Sequence, residues 1–379
     1  MSGAMRRPGH SSFDSALMKK TIYNVQILRL IASAMVLFGH VQHEAGEMPY
    51  LDLANYTPWV PVYFAGGVDI FFVISGFIMY LLSKEQFGKP GASANFLWRR
   101  IARVAPPYWL FTTAMIGSAI VFASYVTHST LDPLHVIGSY FFVPVQNPYG
   151  RYFPVLILGW TLNFEMLFYA LLGIALLFNR RAGVAFLFGS IALLGTLGIV
   201  APPGSTSFAF WCNPIIFEFL FGIALAHFRL AGMRIALPAG IALVVAGVAV
   251  MVLMQSMGIA AHFWDYRPLW MGLPALAICS GFALVDEAPE PGPVKRALVF
   301  GGDVSFVLYL SHPFALTLVS MLWKKAHLTH AWGYVVVANL FSVVVACVLH
   351  VLIEKPATTS INRFVSRRLA PRRVVAAAG

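Results

Sequence analysis

Apolar segments about 20 residues long recur along almost the whole chain. We place about ten of them, with approximate bounds 22–41, 62–82, 105–126, 154–178, 183–200, 211–228, 235–254, 267–286, 302–322 and 332–353. As an α-helix, such a segment crosses the hydrocarbon core of a bilayer, which is about 30 Å thick. Charged residues make up only 11% of the chain, against about 25% in a soluble domain. The sequence therefore predicts an all-α integral membrane protein with about ten transmembrane helices.

The charges between these segments predict the orientation of the chain. Basic residues collect in alternate loops, namely Lys84, Lys89, Arg99, Arg100, Arg103, Arg180, Arg181, Arg229, Arg234, Lys295 and Arg296. The other loops are acidic or neutral, apart from Lys324 and Lys325. Because cytoplasmic loops carry the excess of Lys and Arg, we expect both termini in the cytoplasm. The predicted parts are an N-terminal tail (1–21), a membrane domain (22–356) and a basic C-terminal tail (357–379).

The net charge of +11 does not predict a nucleic-acid partner. The basic residues lie on one predicted side of the membrane, which is the pattern of membrane insertion. The three cysteines, Cys212, Cys279 and Cys347, lie in or beside apolar segments without the spacing of a metal site. We therefore expect a lipid bilayer as the environment and no bound metal.

Arg29 and His40 lie inside the first apolar segment, eleven positions apart. On an α-helix, eleven steps equal three turns plus about 20°, with a rise of about 16 Å. The two side chains therefore share a helix face at different depths. Ionisable groups in hydrocarbon are costly, so they usually face a bundle interior and mark a site. This geometry predicts an intramembrane reaction chamber, although Arg29 could instead serve only to hold helices together.

Other predicted spans also carry polar residues. Thr161, Glu165 and Tyr169 follow one another at four-residue intervals, which places them on one helix face. Asp69 lies in the second span, and His312 lies in the ninth. Such groups either line a functional site or pair with buried cations between helices.

Arg99, Arg100 and Arg103 precede the third span. Spacings of three and four residues bring side chains together on a helix, so these arginines can form one cationic patch. Guanidinium groups bind phosphate in bidentate geometry, which suits a polyanionic cofactor. Anchoring of the helix at the cytoplasmic membrane surface is the alternative interpretation.

Five sequence blocks, taken together, resemble those of the acyltransferase 3 family of membrane O-acyltransferases. They are Arg29 with His40; 67–77 (Gly-Val-Asp-Ile-Phe-Phe-Val-Ile-Ser-Gly-Phe); Arg99, Arg100 and Arg103 with Pro106; Thr161 with Glu165 and Tyr169; and Ser305 with Tyr309 and His312. Asn213-Pro214 with Glu218 is similar to the ExoZ-like subgroup, which modifies bacterial exopolysaccharides. Two positions depart from the family pattern, since Ile27 replaces a usual Gly and Thr161 a usual Ser.

The resemblance implies an acyl-CoA-dependent O-acyltransferase of the bacterial cytoplasmic (inner) membrane. It would move an acyl group, which we expect to be acetyl, from cytoplasmic acyl-CoA to a hydroxyl of an exopolysaccharide or other cell-surface glycan. A proton-coupled secondary transporter or flippase of a glycan or lipid-linked solute is the alternative, because buried Arg, Asp, Glu and His also build proton pathways.

The resemblance and the chemistry of the side chains together suggest roles for the candidate residues. His40 is expected to be the general base, since imidazole suits proton transfer near neutral pH; an acyl-histidine intermediate is the alternative. Glu165 would orient His40, while Arg29, Tyr309 and His312 would stabilise the thioester oxyanion or hold the pantetheine arm. The expected acetyl-CoA-binding residues are Asp69, Ser75, Arg99, Arg100 and Arg103.

Overall fold

The computed structural model describes residues 22–54, 56–121, 132–147, 149–204, 206–257, 266–287 and 290–361. The predicted N-terminal tail (1–21) lies outside the described residues, as does the C-terminal tail beyond residue 361. Within the described ranges, the regular structure is helical apart from two isolated β-bridges. This confirms the predicted all-α membrane fold.

Twelve α-helices occur in the described part of the chain. They are α1 (Tyr23–Glu47), α2 (Gly66–Ser83), α3 (Ala92–Val121), α4 (Pro133–Tyr140), α5 (Trp160–Ala175), α6 (Arg180–Val200), α7 (Ser207–Trp211), α8 (Phe217–Leu230), α9 (Leu237–Ser256), α10 (Leu273–Ala283), α11 (Pro293–Lys325) and α12 (Ala331–Leu349). Short 3₁₀ turns precede α2, α5 and α8, and π-helical turns precede α10 and follow α12.

Eight helices among the described residues are long and apolar enough to cross a membrane. They match eight of the predicted spans. The other two segments are also helical but shorter, since α8 has 14 residues and the apolar helix that contains α10 runs over Pro268–Ala283. The count of ten and the cytoplasmic location of both termini therefore stay predictions.

Glycines bring the central helices into close contact. A Cβ atom on Gly76 of α2 would overlap the carbonyl oxygen of Phe219 in α8, and one on Gly222 of α8 would overlap the carbonyl of Val73. Small residues at such positions let membrane helices approach backbone to backbone. Gly76, the neighbour of Ser75, thus lets α2 pack closely against α8. The other faces of α2 contact α1 and α5.

A buried ion pair ties α2 to the segment that precedes α10. Arg267 donates from Nε to Asp69 Oδ1 at 2.9 Å and from Nη2 to Asp69 Oδ2 at 2.7 Å, and it also donates to the carbonyl of Ala65 at 3.2 Å. Neither side chain is more than 1% exposed. The Arg267 guanidinium also lies over the ring of Trp160, at 5.9 Å from the ring centroid. Two charges in a low-dielectric interior are tolerated here because each satisfies the other.

The buried pair makes a specific stability prediction. Asp69→Asn should lower the free energy of unfolding by about 3–5 kcal/mol, because it removes the carboxylate that accepts two hydrogen bonds from the buried Arg267 guanidinium. Asp286→Asn is the matched control, since Asp286 pairs with Arg234 at 3.3 Å but its side chain is 81% exposed. That change should cost at most about 1 kcal/mol. Unfolding of both variants in detergent, against wild type, measures the difference; equal losses would contradict it.

Candidate active site

A cavity of about 170 Å³ lies between α1, α2, α3, α5 and α11. Its polar lining consists of Arg29, Ser75, Arg100, Arg103, Thr161, Glu165, Tyr169 and Tyr309. The remaining wall is apolar and comes mainly from α2, with Phe71, Ile74 and Ile78 among its members. Six of the ten residues that the sequence proposed for the site therefore lie on one cavity.

The cationic part of this cavity is formed by Arg29, Arg100 and Arg103. Arg29 is half-buried and donates to the side-chain oxygen of Gln26 at 2.9 Å. Arg99 does not line the cavity: it is exposed and donates to Asn95 Oδ1 at 3.0 Å. Arg99 lies one helical turn before Arg103, and its side chain turns back toward the start of α3. The predicted patch of three arginines is thus divided between the cavity and the protein surface.

Glu165 occupies the middle of the cavity wall. Its Oε1 atom accepts hydrogen bonds from Ser75 Oγ, at 3.2 Å, and from the hydroxyl of Tyr169. The sequence led us to expect that Glu165 orients His40. The side chains bond elsewhere, because Glu165 on α5 contacts α2 and its own helix, whereas His40 contacts α11. Ser75, Glu165 and Tyr169 instead form one polar group within an apolar wall.

His40 pairs with His312. Their Nδ1 and Nε2 atoms are 2.7 Å apart, and the two rings meet edge to edge, with centroids 5.0 Å apart and planes at 28°. His312 is 1% exposed, whereas His40 is half-buried. Neither residue is part of the cavity lining. The two histidines therefore form a dyad next to the cavity, between α1 and α11.

Tyr309 lies between the cavity and the dyad. It lines the cavity, and its ring centroid is 6.3 Å from that of His312. Its hydroxyl donates to the carbonyl of Leu158 and lies beside the Thr161 hydroxyl, with both distances 3.1 Å. Tyr309 therefore links the cavity wall to the dyad, and Thr161 is its hydroxyl partner on that wall.

Two further findings could not be obtained from local sequence patterns. Asp69 is not on the cavity, because it is fully buried in the ion pair with Arg267. The dyad joins residues 272 positions apart, and no local spacing rule relates such positions. By contrast, the four-residue spacing of Thr161, Glu165 and Tyr169 correctly indicated one helix face, since all three line the cavity.

Comparison with known proteins assigns the chain to a family. Residues 22–351 match the model of the family described as "Acyltransferase domain". The chain belongs to this acyltransferase family. The matched range includes every residue of the cavity and the histidine dyad, so the site described above belongs to a multi-pass membrane acyltransferase.

Two curated relatives are similar over most of the chain. One is the "Exopolysaccharide production protein ExoZ" of Rhizobium meliloti (strain 1021), which is 33% identical over 315 residues, 82% of this chain and 92% of the relative. The other is "Nodulation protein 10" of Rhizobium leguminosarum bv. viciae, which is 26% identical over 385 residues, 92% of this chain and 96% of the relative. No solved structure matches the chain.

Membership of an acyltransferase family favours group transfer over the transporter or flippase hypothesis. Within the described ranges, no group of three His, Cys, Asp or Glu side chains is arranged to hold a metal ion. The side chains of the cavity and the neighbouring dyad offer imidazole, hydroxyl, carboxylate and guanidinium groups.

Proposed function

We propose that this membrane acyltransferase transfers an acyl group, acetyl in the simplest case, from cytoplasmic acyl-CoA to a hydroxyl of an exopolysaccharide or other cell-surface glycan. The observation that carries the proposal is the cavity itself, whose wall includes arginines as well as Tyr309, a neighbour of the His40–His312 dyad. Similarity to a relative named for exopolysaccharide production supports a glycan acceptor.

The arginines are suited to the phosphates of the donor. Arg100 and Arg103 lie near the start of α3, and a guanidinium binds phosphate oxygens through two parallel hydrogen bonds. By the positive-inside rule, the basic loops support a cytoplasmic position for this end of the bundle, where acyl-CoA would be available. The bacterial inner membrane is the location that we propose with this orientation.

The cavity wall suits the pantetheine arm, which alternates apolar segments with amide groups. Most of the lining is apolar, and its polar groups are few and specifically placed, as in other small-molecule sites. Ser75, Glu165 and Tyr169 offer hydrogen-bond partners for an amide part-way along the wall. Arg29 and His40 are separated by a rise of about 16 Å along α1, so an extended arm bound near Arg29 points its thioester toward the dyad.

His40 is placed to act as the general base. It would take the proton from the glycan hydroxyl while the oxygen attacks the thioester carbonyl. The C–S bond then breaks, and His40 returns the proton to the thiolate, so that the products are the glycan ester and free CoA. Arg29 or the Tyr309 hydroxyl would stabilise the negative charge that develops on the carbonyl oxygen.

The position of the arginines predicts which of them bind the donor. The double change Arg100→Ala with Arg103→Ala should weaken acetyl-CoA binding by tenfold or more, because each charge-assisted hydrogen bond is worth about 1.5–3 kcal/mol. Arg99→Ala removes the same charge from the same helix but off the cavity, and it should leave the affinity within about twofold of wild type, as for an exposed charge. Titration of purified protein with acetyl-CoA measures both. Equal weakening by Arg99→Ala would support the alternative interpretation, in which these arginines anchor α3 at the membrane surface.

The base assignment is tested on the first helix. His40→Ala should lower kcat for acetyl transfer by about 10²- to 10⁴-fold, the usual contribution of a general base. His43→Ala is the control, because His43 lies on the same helix but is exposed. Transfer of labelled acetyl groups from acetyl-CoA to purified glycan gives the rate, and mass spectrometry of surface glycan from complemented cells identifies the product. If the His40→Ala protein has wild-type activity, His40 is not the general base.

A further inference from the structure

A proline inside α11 changes the hydrogen bonding around His312. In the sequence Tyr309-Leu-Ser-His-Pro313, the carbonyl of Tyr309 would normally accept from the backbone N–H four residues later. That residue is Pro313, which has no N–H. The Tyr309 carbonyl is therefore left without its helical donor in the middle of a buried helix.

The ring of His312 turns back toward this turn of the helix. Its Nδ1 atom is 3.0 Å from the carbonyl oxygen of Leu308, four residues earlier. A carbonyl oxygen only accepts hydrogen bonds. The His312 Nδ1 atom must therefore carry the proton, and in a neutral imidazole the Nε2 atom is then an acceptor with a lone pair.

This assignment determines the state of His40. His312 Nε2 is 2.7 Å from His40 Nδ1, and a hydrogen bond between two nitrogens needs one donor and one acceptor. Because His312 Nε2 is the acceptor, His40 Nδ1 must donate. The other ring nitrogen of a neutral His40, Nε2, is then unprotonated.

We infer that His312 is a positioning residue, which acts through its hydrogen bond to hold His40 in the tautomer whose Nε2 atom is free to accept a proton. The inference rests on the proposed function and deepens it. A general base at His40 requires an unprotonated ring nitrogen directed at the acceptor hydroxyl. His312 itself touches neither substrate.

The same hydrogen bond serves during the reaction. When His40 Nε2 takes the proton of the glycan hydroxyl, the ring becomes an imidazolium, and its Nδ1–H donates a charge-assisted hydrogen bond to His312 Nε2. His312 thus has the role that a buried carboxylate has in a Ser-His-Asp triad, where it stabilises the imidazolium. Here the partner is a neutral ring, so the resting dyad adds no charge to the membrane interior, where an unpaired carboxylate would be costly.

Two substitutions of His312 separate positioning from packing. His312→Leu keeps a side chain of similar branching but has no acceptor, and we expect kcat to fall by about 10²- to 10⁴-fold, as when the base itself is lost, with the KM for acetyl-CoA unchanged. His312→Gln presents an amide oxygen at the same distance from the backbone as Nε2. It should recover at least half of the lost activity on a logarithmic scale.

His227 provides a matched control for the loss of a helix-bound histidine. Its Nδ1 atom is 3.1 Å from the carbonyl of Ile223, four residues earlier, and its Nε2 atom is 3.0 Å from the hydroxyl of Tyr80. It is thus bonded like His312, but it lies in a separate groove lined by α6 and α8. His227→Leu should leave kcat near wild type, and its thermal unfolding shows the structural cost of such a change.

A spectroscopic measurement tests the tautomer without relying on activity. In protein labelled with ¹⁵N-histidine, the His40 resonances are those absent from His40→Gln. We expect a protonated Nδ1 and an unprotonated Nε2 in wild type, with the two nitrogens sharing the proton between tautomers in His312→Leu. A protonated Nε2 in wild type would overturn the inference.

The kinetic outcomes are equally decisive. Wild-type kcat in His312→Leu, or a His312→Gln protein that folds, binds acetyl-CoA and is as inactive as His312→Leu, would overturn the positioning role. If wild-type protein transfers no acyl group from acetyl-CoA to glycan, the proposed function fails instead, while the ¹⁵N spectra still decide the tautomer. The two failures are therefore distinguishable.

Discussion

The cost of placing charge in hydrocarbon is the constraint on which the rest of the structure depends. The protein meets it in two ways. Asp69 and Arg267 neutralise each other inside the bundle and so join α2 to the segment before α10. Arg29 is only half-buried and faces a cavity that it shares with other polar groups. Charges of the first kind hold helices together, whereas those of the second kind remain available to a substrate.

The cavity follows from this division. Close packing of α2 on α8 through Gly76 and Gly222 directs Ser75 toward α5, where Glu165 and Tyr169 complete a polar group in an apolar wall. Helix α1 runs alongside, with Arg29 on the cavity and His40 about three turns further on. Under the proposed function, the donor thioester and the acceptor hydroxyl would meet between this cavity and His40.

The spacing of residues along one helix predicted which of them share a face. It did not predict which side chains on different helices become partners. Thr161, Glu165 and Tyr169 were placed on one face because helical periodicity is local, and all three line the cavity. One contact within a helix was also missed, because the spacing allowed Arg99 to face either the patch or Asn95, four residues earlier. Periodicity along one helix could not show that Asp69 pairs with Arg267 in another segment. Glu165 was paired with His40 by analogy to a catalytic triad, but the hydrogen bonds of His40 go to His312.

The sequence by itself determined the helical membrane fold and the identity of the polar residues, because hydrophobicity and helical spacing are properties of short segments. It also contained Pro313, which removes the N–H that the Tyr309 carbonyl would accept, wherever α11 packs. Only the tertiary structure decided which polar groups meet. His40 and His312 become partners through the packing of α11 on α1, and that choice depends on the shapes of whole helices, which no spacing along the chain encodes.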